Sequence, residues 1–170
     1  MEKKAAHLHW TKEQFAQREA VMESRSPGYY DRKLTVQVLL GGLLFIRGFY
    51  IALSGILQIQ DAVQIFTMTA GLVISYLYYR ILIMGYIPWL APLLLILRCG
   101  EFAYTLYSSL GFLFYMNFIG TCWWVTSMFA ILADVVFLIY MIVGKKAQLL
   151  KFDNRILYSD AELSCSEEMI

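Results

Sequence analysis

Four ionisable side chains, Arg47, Arg98, Glu101 and Asp134, lie deep inside apolar sequence. A charge at the centre of a bilayer costs roughly 3 kcal/mol by insertion scales, so such residues face protein or water and are candidates for function. Arg98 and Glu101 stand three apart in LLLILRCGEFAYTLYSSL, residues 93–110. That spacing puts both on one helix face, and Thr105 and Ser108 extend the same polar stripe. At about 1.5 Å of rise per residue, counted from Lys33, Tyr86 and Lys145, Arg98 and Asp134 come out roughly 16–18 Å deep. Arg47 and Glu101 come out near 21–22 Å on the same rise. The depths predict two pairs, Arg98 with Asp134 and Arg47 with Glu101, and a net charge of zero. Cancellation by a partner is what a low-dielectric interior demands of groups that stay ionised. Two readings follow: a fixed ionic lock that selects one packing of the helices, or a polar pathway or binding site.

Other chemistry is poorly supplied. The histidines, His7 and His9, precede the apolar region and stand two apart, a spacing that shares no helix face. No histidine pair within the apolar region could hold haem or a di-metal site. GxxxxGK[ST], HExxH and GxSxG are all absent. Cys99, Cys122 and Cys165 form no CxxC pair and no zinc spacing, and the first two read as small hydrophobes. Neither cofactor nor metal is expected, and an enzyme, built on Glu101, is the least supported class.

The elements that must position the four charges follow from composition. Of 170 residues, 59% are hydrophobic and 16% charged, against about 25% charged in soluble domains. The balance of 14 Lys and Arg against 13 Asp and Glu gives no electrostatic case for nucleic acid. Nearly all charges precede residue 34 or follow residue 144, with Asp61 and Arg80 near the ends of apolar runs. A membrane-spanning helix needs about 20 apolar residues, and residues 34–143 hold enough for four: about 34–57, 62–84, 88–110 and 120–143. The polar QIQD (58–61) makes the first turn, Pro88 opens the third span, and SSLGFLFYMNF (108–118) reads as an aromatic interfacial connection.

Positive charge sets orientation. Lys3, Lys4, Lys12, Arg18, Arg25, Arg32 and Lys33 precede the first span, and Lys145, Lys146, Lys151 and Arg155 follow the last. Arg80 flanks the second connection, and none flanks the first or third. Four spans put all of these on one face, with both termini cytoplasmic. Tyr76, Tyr78 and Tyr79 beside Arg80, with Tyr86 and Trp89 across the turn, read as an interfacial belt. Trp123 and Trp124 mark the opposite interface.

Segment 1–33 has no apolar core of a signal peptide. Thr11 and Gln14 form a capping box, with Trp10 and Phe15 as its hydrophobic staple, predicting a helix from about Lys12 to Ser24. Its apolar face is thin, so a solvated or surface-lying helix is expected. Residues 145–170 read as a cytoplasmic tail with a disordered acidic end. Gly41, Gly48 and Gly55 recur every seven residues, and Gly48 with Ala52 is a small-xxx-small pattern that lets helices approach closely in lipid. The favoured neighbour for this face is another helix of the same chain.

The expected class is an all-α integral membrane protein, a four-transmembrane-helix bundle in the cell membrane. The leading functional reading is a non-enzymatic accessory, regulatory or assembly partner whose partners are the lipid bilayer and another membrane protein or a second copy. The alternative is a small oligomeric transporter or channel for a polar or anionic solute. The two differ in whether the charges line a water-accessible cavity or lie sealed between helices.

Overall fold

The computed structural model describes residues 11–57, 61–85, 87–109 and 117–158. Trp10, both histidines, residues 58–60 of the QIQD turn, most of the 108–118 connection and the acidic end lie outside them. The described residues form helices and no strand.

Helix α1 (Lys12–Arg25) starts where the capping box places it. Thr11 N–H donates to Gln14 Oε1 at 3.0 Å, and Gln14 N–H donates to Thr11 Oγ1 at 3.3 Å. The chain then reverses at Gly28, whose φ of 85° belongs to the left-handed region that glycine enters freely. Helix α2 (Tyr29–Ile56) follows at once, so it begins a full turn before the predicted span. Glu23, in the last turn of α1, accepts from the Gly28 and Tyr30 amides, both at 2.8 Å. A carboxylate on these otherwise unbonded amides stabilises the helix start.

Helix α3 (Ala62–Met84) opens on a second capping box, Asp61 with Gln64, and stops at Gly85, with φ of 72°. Helix α4 (Leu90–Ser109) begins after Pro88. Helix α5 (Phe118–Val143) is capped by Asn117, whose side chain accepts from Gly120 N–H at 2.8 Å. One residue, Gly144, separates it from helix α6 (Lys145–Leu157). A Cβ at Gly144 would stand 2.5 Å from the Tyr140 carbonyl, so only glycine permits this turn.

Four helices, α2 to α5, are long and apolar enough to cross a membrane. Their outward faces carry large apolar side chains such as Phe45, Phe66, Ile96 and Val136, each at least 65% exposed. A water-soluble monomer rarely leaves apolar surface on that scale. α5 packs on α2, α4 and α6, and α2 also packs on α3.

The tightest packing is at one end, here called the base, where α2 and α4 begin and α3 and α5 finish. Met22, Tyr29, Val36, Leu82, Leu138, Met141, Ala147, Leu150 and Leu157 form a continuous core there. Segment 145–157, assigned to a tail from sequence, is thus a helix docked on the bundle. Asn154 locks it: its Oδ1 accepts from Tyr29 OH at 3.1 Å, and its Nδ2 donates to the Ile83 carbonyl at 3.0 Å. α1 lies on the surface, as expected, but docks by one face. Met22 is 1% exposed and Phe15 packs against the core, because α6 supplies the apolar surface that the thin face of α1 needs.

Candidate functional site

Each membrane-length helix contributes to one polar cluster in the middle of the bundle. α2 supplies Arg47, α3 supplies Ser75 and Tyr79, α4 supplies Arg98 and Glu101, and α5 supplies Asp134. Asp134 is the centre, with no exposed surface. Its Oδ1 accepts from Tyr79 OH at 3.0 Å. Its Oδ2 faces Arg47 Nη2 at 2.5 Å and Arg98 Nε at 3.3 Å. Ser75 Oγ accepts from both guanidiniums, from Arg47 Nη1 at 2.9 Å and Arg98 Nη2 at 3.1 Å. Two like charges are held side by side because one carboxylate and one hydroxyl lie between them. Arg98 also pairs with Glu101 on its own helix, which brings the set of four to zero charge.

The expected pairing is therefore half right in geometry. Arg98 does reach Asp134, but Arg47 also reaches Asp134 and not Glu101, whose partner is Arg98. Axial depth misled because an arginine stem reaches across more than a helical turn, about 5.4 Å, and can place its head away from its own Cα level.

The cluster is graded from sealed to open. The side chains of Asp134, Arg47, Arg98 and Glu101 are 0, 15, 22 and 43% exposed, respectively. The open side faces a cavity of about 420 Å³ bordered by Arg47, Ser75, Arg98, Glu101, Thr105 and Ser127. Trp123 and Tyr50 add an aromatic wall, their rings 5.9 Å apart. Trp123 Nε1–H donates to Ser54 Oγ at 2.8 Å, which fixes that wall. The cavity lies where α3 and α4 part, since these two helices are not closely packed on one another.

Thr105 borders the cavity while its hydroxyl donates to the Glu101 carbonyl at 2.8 Å. Ser108 is exposed and bonds the Thr105 carbonyl. Tyr79, expected in the interfacial belt, turns inward and is 2% exposed, stacked edge-on against Phe137; Tyr76 and Tyr78 stay outside. Charge alone does not mark Ser75 and Tyr79 for the network, since neither is charged at neutral pH. Their i,i+4 spacing on α3 was the available signal.

The glycine face has a different fate. Gly41, Gly55 and Ala52 are exposed and Gly48 half-buried. A Cβ added at Gly41 or Gly48 would meet nothing within 4 Å, and one at Gly55 only Ile65 Cδ1 at 3.8 Å. Among the described residues, no helix of the same chain packs on Gly41 or Gly48, because α3 and α5 occupy other faces of α2. Among the described residues, no group of three His, Cys, Asp or Glu side chains is placed to hold a metal ion.

By fold and site the chain is an all-helical bundle with four membrane-length helices around a central ion-pair cluster and a polar cavity. No family model, curated protein or solved structure matches it.

Proposed function

We propose that this protein crosses the cell membrane four times with both termini in the cytoplasm, and that its central cavity binds a small polar solute carrying an anionic group. The cavity carries the reading: three of the four intramembrane charges border it, where a scaffold-only lock would be sealed throughout. Arg47 and Asp134 form the buried half and hold the helices. Arg98 and Glu101 form the open half. A carboxylate or similar anion would take Arg98, and an ammonium on the same solute would take Glu101, opposite Trp123 and Tyr50, whose ring faces favour cations. Charge-assisted hydrogen bonds of this kind are strong where water is scarce. Solute binding would exchange the Arg98–Glu101 pair for two ligand pairs without stranding a charge.

Thermal stability of the detergent-purified chain tests this against a panel of small carboxylates, zwitterions and neutral polyols. A ligand present at a hundred times its dissociation constant adds about 2.7 kcal/mol to stability, so an anionic or zwitterionic compound should raise the melting temperature. Arg98→Gln should abolish the rise. A panel without effect, or an equal rise in Arg98→Gln, would remove the solute site.

A second reading, an assembly or accessory role, is favoured by the unpartnered Gly41–Gly48–Ala52–Gly55 face. Cysteine cross-linking at Ala52, in a chain freed of its own cysteines, would detect a neighbour there.

A further inference from the structure

A second cavity, of about 350 Å³, opens in the base beneath the α3–α4 turn, remote from the central cluster. Its lining divides by chemistry: Ile87, Pro88, Ala91 and Met141 on one side, Lys151 and Arg155 of α6 on the other. Three other cations of the base have acids. Arg32 pairs with Asp153 at 2.8 Å, Lys33 with Glu19, and Lys146 with Asp31 at 2.7 Å. Lys151 and Arg155 pair with no carboxylate among the described residues. The Lys151 ammonium is half-buried and donates to the Met141 carbonyl at 2.5 Å, and burial lowers its pKa with no opposing acid.

The two cations are held in place by Gly85. A Cβ there would stand 2.8 Å from the Lys151 carbonyl, 3.1 Å from Lys151 Cβ and 3.3 Å from Arg155 Cγ. The turn therefore rests directly on both stems. Like charges at i and i+4 repel, and an anion between them would relieve that repulsion. Trp89 in the turn and Phe152 on α6 are each 61% exposed. Exposed aromatic side chains beside cations characterise the headgroup level of a bilayer.

We infer that this cavity seats the headgroup of an anionic phospholipid from the leaflet adjoining the base, with its phosphate between Lys151 and Arg155 and an acyl chain leaving along Ile87 and Ala91. Basic pockets between spanning helices take anionic headgroups in this way. The inference rests on the membrane reading above, but not on the solute site.

Native mass spectrometry of the full chain in neutral detergent tests it, titrating phosphatidylglycerol against phosphatidylcholine of identical acyl chains. One phosphatidylglycerol should bind at least ten-fold more tightly. Lys151→Gln with Arg155→Gln should bring the ratio near one, whereas Lys151→Arg with Arg155→Lys should keep it. Removing two cations outside the cavity, Arg25→Gln with Lys145→Gln, should leave it unchanged. Equal binding of the two lipids, or equal loss of preference in the outside-cation variant, would overturn the site. Inorganic phosphate that displaced the lipid completely at millimolar concentration would overturn the lipid assignment in favour of a soluble anion. Alkaline-carbonate washing of membranes separates the two claims. Release of the chain would defeat the membrane reading, while retention with no lipid preference would defeat this site alone.

Discussion

The base and the middle of the bundle solve the same problem, buried charge, in opposite ways. In the base, Arg32 is covered by Asp153 and by the Ser26 and Pro27 carbonyls, and the core around it is closed. In the middle, Arg98 hydrogen-bonds Ser75 and Glu101 and forms an ion pair with Asp134, and one side faces a cavity. A buried charge whose partner is also buried is structural, because changing its surroundings can only cost stability. A group whose partner is half exposed can exchange that partner for a ligand. Exposure of the partner acid, 5% for Asp153 against 43% for Glu101, separates the two roles.

The largest effect should come from the sealed half of the central cluster. Asp134→Leu leaves Arg47 uncompensated and Arg98 dependent on Glu101, and breaking a buried pair from one side costs about 3–5 kcal/mol. Arg47→Leu with Asp134→Leu leaves the neutral Arg98–Glu101 pair and should recover much of that loss. In double-mutant cycles of unfolding in detergent, Arg47 with Asp134 should couple most and Arg98 with Asp134 less. Arg47 with Glu101 should be close to additive. Strong coupling in that last pair would restore the depth-matched arrangement and break the contrast drawn here.

A smaller effect sharpens the packing side. Leu138, fully buried in the base, should lose about 2 kcal/mol on change to Ala, the low end of the usual range, because lipid, unlike water, does not penalise exposed apolar surface. Met68→Ala, on the wall of the cavity, should cost clearly less, since its neighbours already leave a void. Chemical unfolding of the two variants in one detergent compares them, and equal losses would mean that the middle is packed as tightly as the base.

The smallest effect concerns the glycine face. Gly48→Leu should change the stability of the isolated chain by less than about 0.5 kcal/mol, as surface substitutions do, because open space surrounds the added Cβ. A loss of 1–3 kcal/mol, the range for overpacking, would show a close neighbour on that face, supplied by another subunit.

Much of the frame was legible in the sequence because its signals are local. The boundaries of α3 match expectation at both ends, residues 62 and 84, since Asp61 caps one and Gly85 stops the other. The capping box of α1 is equally local. What was missed depends on distant contacts. α6 is too short and too charged to declare itself by apolar content. Its Ala147, Leu150, Asn154 and Leu157 stripe has helical spacing, but the stripe acquires meaning only when the base is present to receive it. The same holds for Tyr79: its position beside Tyr78 and Arg80 suggests an interface, and only the rotation of α3 about its axis turns it towards Asp134. Arg47 chose its partner by side-chain reach and by Ser75, neither of which axial depth contains.

The central claim is that the middle of the bundle admits solute while the core of the base is closed. Cysteine accessibility measures this directly. In a chain freed of Cys99, Cys122 and Cys165, Thr105→Cys and Ser127→Cys border the cavity, whereas Leu138→Cys and Leu157→Cys lie in the base core. Reconstituted protein treated with a small charged methanethiosulfonate should be labelled at the first two positions and not at the last two, and Arg98→Gln should alter the preference between anionic and cationic reagents. Cavity cysteines no more reactive than those of the base would contradict the account and leave the four charges as a sealed lock.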